Sequence, residues 1–302
     1  MVDIDLARPD KMFQGYLFWH LADELATDVV NFAMLLDTEG KVMHRWDSDL
    51  DGGGHTSYLL PSGGLLRTGI KDRSYAPMNA VRQHLNALDY HPGLDQIVVS
   101  SFIYSEIWII DHGTSIEEAS GSIGGRRGRG GDLLFRHGNP AAYGRGTGKD
   151  SLFRSQHDAN WVDEGLPGAG NILVFNNNTD TSGIARVGAG GAAAAVAQQQ
   201  LKGMSNVHEF KPTLDDEGHY VSGESGTYEA KRVWFWEDGG FFAPFQGGAR
   251  RLPNGNTLLT DTVGRRVWEV AADGEVVARY KGSAPNFKAF KFSAEQVAKL
   301  LD

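Results

Sequence analysis

The side chains best suited to chemistry in this sequence are three histidines and an asparagine: His55, His84, His157 and Asn86. His84 and Asn86 are two residues apart, so on a strand they project to one face while Leu85 and Ala87 turn to the other. A neutral imidazole, with an ordinary pKa of about 6.5, is a competent nucleophile near neutral pH. His157 can therefore attack an electrophilic centre directly, while a protonated His84 and the Asn86 amide donate to the charge that develops there. His55 follows Gly52-Gly53-Gly54 and opens a hairpin pattern, which makes it either a third member of the set or a loop histidine. Three converging histidines can instead hold Zn²⁺, Fe²⁺ or Cu²⁺, although their separation in sequence carries no metal signature. Asp47, Asp49 and Asp51 alternate ahead of Gly52 as the first half of a calcium loop does, but position twelve is Tyr58 rather than a bidentate Glu. The competing reading is a solvated acidic turn. Cysteine is absent, which excludes disulfides, thiolate metal sites and a cysteine nucleophile.

Elements that could position these groups follow from the turns. The 302 residues include 39 Gly, 7 Trp, 9 Tyr and 15 Phe with 41% hydrophobic residues, a composition of many short strands and tight turns. Apolar alternation brackets a Gly-containing turn at Phe32–Trp46, Tyr58–Arg67, Asn160–Phe175, Ala249–Thr260 and Val267–Tyr280. Paired hairpins give units of roughly 40 residues, the spacing of propeller blades. The clearest unit has strands over Ala249–Leu252, Thr257–Asp261, Arg266–Val270 and Val276–Tyr280. A second runs Leu85–Tyr90, Gln96–Phe102, Glu106–Asp111 and Asp132–His137. A third runs Asp158–Asp163, Asn171–Asn176, Asn206–Lys211 and Arg232–Glu237, with an Ala/Gly/Gln excursion at Gly188–Gln200. The N-terminal part is less regular, with strands over Phe13–His20, Phe32–Asp37, Lys41–Trp46 and within Thr56–Gly69, and Lys71–Gln83 has no strand pattern. The expectation is one all-β domain over residues 1–302, a β-propeller of about five four-stranded blades with one incomplete, six being the alternative. First strands of blades line a propeller's channel, so His84, Asn86 and His157 are expected to converge there.

Acidic residues outnumber basic ones, 38 to 29, for a net charge of −9, so no basic field faces nucleic acid. The local run Gly125–Gly131 contains three arginines without interleaved aromatics and reads as a solvated loop or, alternatively, an anion contact. No stretch of about 18 apolar residues occurs, and the N-terminus has no basic segment followed by an apolar one. The chain as written is expected to carry neither a membrane span nor an export signal. Trp234-Phe235-Trp236 and Phe241-Phe242 with Phe245 are expected to pack between blades, and His20, His44, His91, His112, His137, His208 and His219 to be structural or solvent-facing.

Phe135-Arg136-His137-Gly138-Asn139-Pro140, Gln156-His157-Asp158-Ala159-Asn160-Trp161 and Gly170-Asn171-Ile172-Leu173-Val174-Phe175-Asn176-Asn177 together resemble the arylsulfate sulfotransferase-like family. Glu106–His112 and Gly247–Thr257 add to the resemblance, which covers most of the chain from His84 onward and part of the N-terminus. It implies a propeller, usually of six blades, that moves a sulfuryl group between phenolic esters and phenols through a histidine, without a nucleotide donor or required cofactor; calcium is suggested separately, by the acidic turn. His157 matches the transiently sulfurylated histidine, and His84 and Asn86 match the family's His-x-Asn pair. Phe102, after Ser100-Ser101, stands where the family has an arginine, and the family's His-His-Asp-Ile strand has no counterpart between Thr68 and His84. Substrate-contact candidates are Phe102 and Tyr104, with Arg250 and Arg154 as replacements for the lost guanidinium. The implied partner is a small aromatic sulfate ester or phenol, and the implied compartment periplasmic or secreted. Two alternatives stand beside this: a catalytically inactive propeller that binds a small molecule or protein, and a metal-dependent enzyme using the histidines. Because the stretch from Thr68 to His84 is short, the blade count is expected below six. The sheet edge left open is expected to be covered by the N-terminal segment, a loop or a partner chain, a second copy of the chain among them.

Overall fold

The structure, a computed structural model, describes residues 2–22, 31–47, 53–59, 65–69, 85–179, 203–282, 286 and 288–301. His84, Asp49, Asp51 and the excursion at 188–200 lie outside the described residues, as do the side chains of His20 and His55. The N-terminal strands are β1 (Asp3–Ala7), β2 (Tyr16–Ala22), β3 (Asn31–Leu36), β4 (Val42–Asp47), β5 (Gly53–Leu59) and β6 (Leu65–Gly69). The middle of the chain supplies β7 (Leu85–His91), β8 (Gln96–Ser101), β9 (Glu106–Asp111), β10 (Phe135–His137), β11 (His157–Trp161), β12 (Ile172–Asn176), β13 (Asn206–Pro212) and β14 (Ala230–Glu237). The last strands are β15 (Gly248–Arg251), β16 (Thr257–Asp261), β17 (Arg266–Val270), β18 (Val276–Lys281) and β19 (Ala289–Phe292), before a helix over Ala294–Leu301. No helix among the described residues is long and apolar enough to cross a membrane.

Every sheet is antiparallel, and the strands follow one another as meanders: β7-β8-β9-β10, β11-β12-β13-β14 and β15-β16-β17-β18. These are propeller blades, and the fold is all-β of the β-propeller class. Four blades are four-stranded among the described residues, where the sequence suggested about five with one incomplete; β5 and β6 form only a two-stranded hairpin.

The hairpins close on local chemistry. The four-residue turns after β7, β8 and β16 each end on a non-glycine residue with left-handed backbone: Asp95 (φ 54°), Ser105 (φ 54°) and Arg265 (φ 57°). In the last of these, Asp261 caps the turn by accepting from the Gly264 N–H at 2.8 Å and from Arg266 Nη2 at 2.7 Å. Burial nevertheless pushes the Asp261 carboxyl above its ordinary pKa, against the pull of Arg266.

Compact packing divides the chain into two units, Met1–Tyr75 with Phe245–Asp302, and Ala76–Pro244. In the first, the chain ends share sheets: β1 adds a fifth strand outside β18, and β19 pairs with β2 to complete β19-β2-β3-β4. The N-terminal segment thus lies on the edge of the last blade, not on that of the short one. The core of this unit joins Leu17, Trp19, Met34, Leu258, Val267, Val277 and Tyr280. A buried ion pair, Lys291 Nζ to Glu269 Oε2 at 2.6 Å, ties β19 to β17. Glu269 Oε1 also accepts from Asn256 Nδ2 at 2.6 Å, so the carboxylate is fully engaged. The second unit has its own core of Val98, Ile107, Ile109, Phe135, Phe153, Trp161, Ile172, Val174 and Phe210.

Candidate functional site

Within the second unit, β7 and β11, the first strands of two consecutive blades, lie side by side. Each carries one of the anticipated residues at a register shift, Asn86 between Leu85 and Ala87 and His157 at the start of an irregularity that runs to Asn160. Bulges of this kind re-aim a side chain relative to its pleat. Around His157 the backbone is also strained: Ser155 (φ 59°) and Asp158 (φ 49°) are both left-handed, and Asn178 (φ 52°) follows the neighbouring strand β12. Such conformations cost about 1–3 kcal/mol each and persist only where surrounding contacts enforce them.

Those contacts form a buried polar web. Gln156 is fully buried, and its Nε2 donates to Ser100 Oγ (3.1 Å), Ser101 O (2.9 Å) and Glu106 O (2.8 Å), locking the residue before His157 onto the adjacent blade. On the other side, Asn177 Nδ2 donates to Ala243 O at 2.7 Å. That bond turns Asn177 Oδ1 toward His157 Nδ1, 2.7 Å away, with Ser155 O at 3.1 Å from the same nitrogen. Both neighbours are acceptors, so Nδ1 carries the proton and the lone pair of the imidazole sits on Nε2. Ser155, Thr179 and Ser205 extend the web: Ser155 Oγ donates to Thr179 O (3.1 Å) and Ser205 Oγ to Asn177 O (3.0 Å). All are buried, where satisfied polar networks are stiff.

Asn86 lies beside this histidine's backbone, with its Nδ2 donating to Gln156 O at 2.8 Å. One of its two amide hydrogens is therefore engaged, and its buried Oδ1 has no hydrogen-bond partner among the described residues. Phe102 is buried, and its ring meets that of His157 edge-on, with centroids 5.6 Å apart at 69°. Tyr104 is exposed, packs on Trp108 and accepts at its backbone O from Asn139 Nδ2. Arg154 is also exposed and donates from its backbone N–H to Asn176 Oδ1 at 2.8 Å.

Arg250, on β15 of the first unit, lies over the Phe290 ring at 5.7 Å, and His55 falls on β5 of that unit. Asp47 is exposed and paired with Arg45 at 2.6 Å. No group of three metal-ligating side chains occurs among the described residues, a set that omits His84, Asp49, Asp51 and the His55 side chain.

Sequence reasoning singled out the Gln-His-Asp-Ala and Asn-Asn stretches without giving roles to Gln156, Asn177 or Ser155, which the structure shows holding His157. It also treated His137 and His208 as structural or solvent-facing. They sit in an aromatic cluster with Phe135, Phe153 and Phe210, and burial lowers their pKa values to about 4 and about 3. Phe241 packs against Phe175 and Trp236, which lie on one sheet, β11-β12-β13-β14, rather than on two blades.

No known protein family matches the chain, and no curated protein does. Solved structures are similar at low identity. A protein of unknown function from Bacteroides caccae is 12% identical, with 90% of this chain and 60% of that one covered and a TM-score of 0.35. A catalytically inactive virginiamycin B lyase from Staphylococcus aureus is 8% identical, with 94% and 75% covered and a TM-score of 0.29. The WD40 domain of SCAP from fission yeast is 8% identical, with 97% and 66% covered and a TM-score of 0.28. The last two are β-propeller proteins, and the chain spans under two thirds of the length of the Bacteroides protein.

Proposed function

We propose that the protein is a histidine-dependent group-transfer enzyme that moves a sulfuryl group from a phenolic sulfate ester to a phenol, with His157 as nucleophile. The observation that carries this reading is the hydrogen bond from His157 Nδ1 to Asn177 Oδ1 at 2.7 Å, which leaves the nucleophilic lone pair on Nε2. Nε2 attacks sulfur, the N–S bond forms, and the ester O–S bond breaks to release the first phenolate. The second phenol then attacks sulfur, its O–S bond forms as the N–S bond breaks, and its proton leaves with the first product. The faces of Phe102 and Tyr104 are suited to hold an aryl ring.

A second reading is binding without transfer, and the Phe102 ring favours it by filling the place where the resemblance expects a cation. Incubation with p-nitrophenyl sulfate and a phenol acceptor, with intact mass of the protein, separates the two. Group transfer predicts release of p-nitrophenol and a mass increase of one sulfuryl group that His157→Ala abolishes. An unchanged mass with p-nitrophenol still released in His157→Ala would refute the covalent histidine, and an inert protein that binds the ester would establish the second reading.

A further inference from the structure

A second site is built away from β7 and β11, where the glycine-rich loop of 124–131 meets the turn at Gly218–Tyr220. The two enclose a cleft of about 300 Å³ lined by Arg127, Arg129, Leu134, Gly218, His219 and Tyr220. We propose that this cleft binds the tetrahedral oxyanion group of a small phosphate or sulfate monoester, held by the guanidinium groups of Arg127 and Arg129.

The loop is constructed to present these arginines. Glu118 accepts from the Gly125 N–H (2.9 Å) and the Ser115 N–H (2.8 Å), and Asp111 accepts from the Arg127 N–H (3.0 Å) and the Gly113 N–H (3.0 Å). Gly130 and Gly131 let it fold tightly, since a Cβ on Gly131 would lie 2.0 Å from Ala119 O and one on Gly130 2.5 Å from Glu118 O. Because the N–H groups of Gly125, Arg127, Gly128, Gly130 and Gly131 are already bonded within the protein, the loop is no backbone cradle for phosphate. Its output is the position of the guanidinium groups.

Several arginines elsewhere meet carboxylates, Arg126 with Asp95, Arg136 with Glu106 and Arg266 with Asp261. Arg127 and Arg129 are not of this kind. Among the described residues neither pairs with a carboxylate; Arg127 Nη1 donates to Gly218 O (2.9 Å) and Arg129 Nη1 to the Tyr228 hydroxyl (3.0 Å). Each neutral contact fixes one end of a fork whose remaining donors suit an oxyanion. His219 adds a ring at the rim, with Asp215 Oδ2 and Glu217 Oε2 at 3.5 and 3.6 Å from its Nδ1. Those two carboxylates, on a chain of net charge −9, restrict the site to a small anion and disfavour a polyanion such as nucleic acid.

The test is calorimetric titration of the intact protein with inorganic phosphate, inorganic sulfate and phenyl phosphate, at constant ionic strength against chloride. One saturable equivalent is expected, weakened about tenfold or more in Arg127→Gln and in Arg129→Gln, the scale of a lost charge-assisted contact. His157→Ala should leave it unchanged, which separates this site from the proposed transfer site. The tighter of phosphate and sulfate names the ester. Arg129 is exposed, so Arg129→Gln keeps the test decisive if Arg127→Gln fails to fold. No saturable binding, binding unaffected by both arginine variants, or binding lost only in His157→Ala would overturn the proposal.

Discussion

Acidification should unfold this protein through His137 and His208 before its carboxylates titrate. The His137 ring stacks on Phe135 and meets Phe210 edge-on at 4.6 Å, while the His208 ring stacks on Phe210 at 5.4 Å and donates from Nε2 to Asn206 Oδ1 at 2.9 Å. Among the described residues, His137 Nε2 and His208 Nδ1 have no acceptor for a second proton. Burial therefore depresses both pKa values, to about 4 and about 3, with Arg232 and His137 adding to the effect at His208. Above pH about 6.5 both rings are neutral folded or unfolded and stability is insensitive to them. As pH falls below that value the unfolded chain takes up protons that the folded one refuses until about pH 4. At pH 5 each unfolded imidazole gains RT ln(1 + 10^1.5), about 2 kcal/mol, so the pair removes about 4 kcal/mol between pH 7 and 5. That is a large share of the roughly 5–15 kcal/mol of a folded domain. Carboxylates held below their ordinary pKa, such as Asp95, Glu118 and Asp150, lose their contribution only at lower pH. Urea unfolding followed at pH 7 and pH 5, in wild type and in His137→Phe with His208→Phe, isolates the two rings. The wild type should lose about 4 kcal/mol more than the double variant, about 1.3 M in midpoint at an m of about 3 kcal/mol/M. Equal losses in the two proteins would show that the rings are not held neutral and would refute the argument.

Asn177→Ala, which removes the acceptor fixing His157 Nδ1, should lower transfer from p-nitrophenyl sulfate about 10²-fold, with unchanged circular dichroism. Asn177→Asp, which keeps an acceptor, should restore most of that rate. Phe102→Arg, which sets a cation beside the His157 ring, should raise turnover by up to about 10²-fold if transfer limits it. Lys291→Met strands the buried Glu269 carboxylate and should cost about 3–5 kcal/mol by urea unfolding, much of it recovered by Glu269→Leu in the same chain.

Local chemistry was legible in the sequence. The turns at Asn254-Gly255 and Asp273-Gly274, the apolar alternation on either side of them and the 40-residue spacing placed β15 to β18 within a residue or two, and β7 to β14 nearly as well. Hairpin partners are neighbours in the chain, so turn type and pleat alone determine them. The histidine at residue 157 and its place at a blade's first strand were legible for the same reason. Other features required the tertiary structure, because they join residues far apart in sequence. The pairings of β1 with β18 and of β19 with β2 are of that kind, since short strands carry no mark of a distant partner. So is the engagement of one Asn86 amide hydrogen by Gln156 O, 70 residues away. So are the bond that sets the His157 tautomer and the aromatic shell that keeps His137 and His208 neutral. Residue order along the chain sets which residues lie on strands and which strands are consecutive. Which atoms of those residues face one another follows from how distant segments pack, and the protonation of a histidine is a property of what faces it.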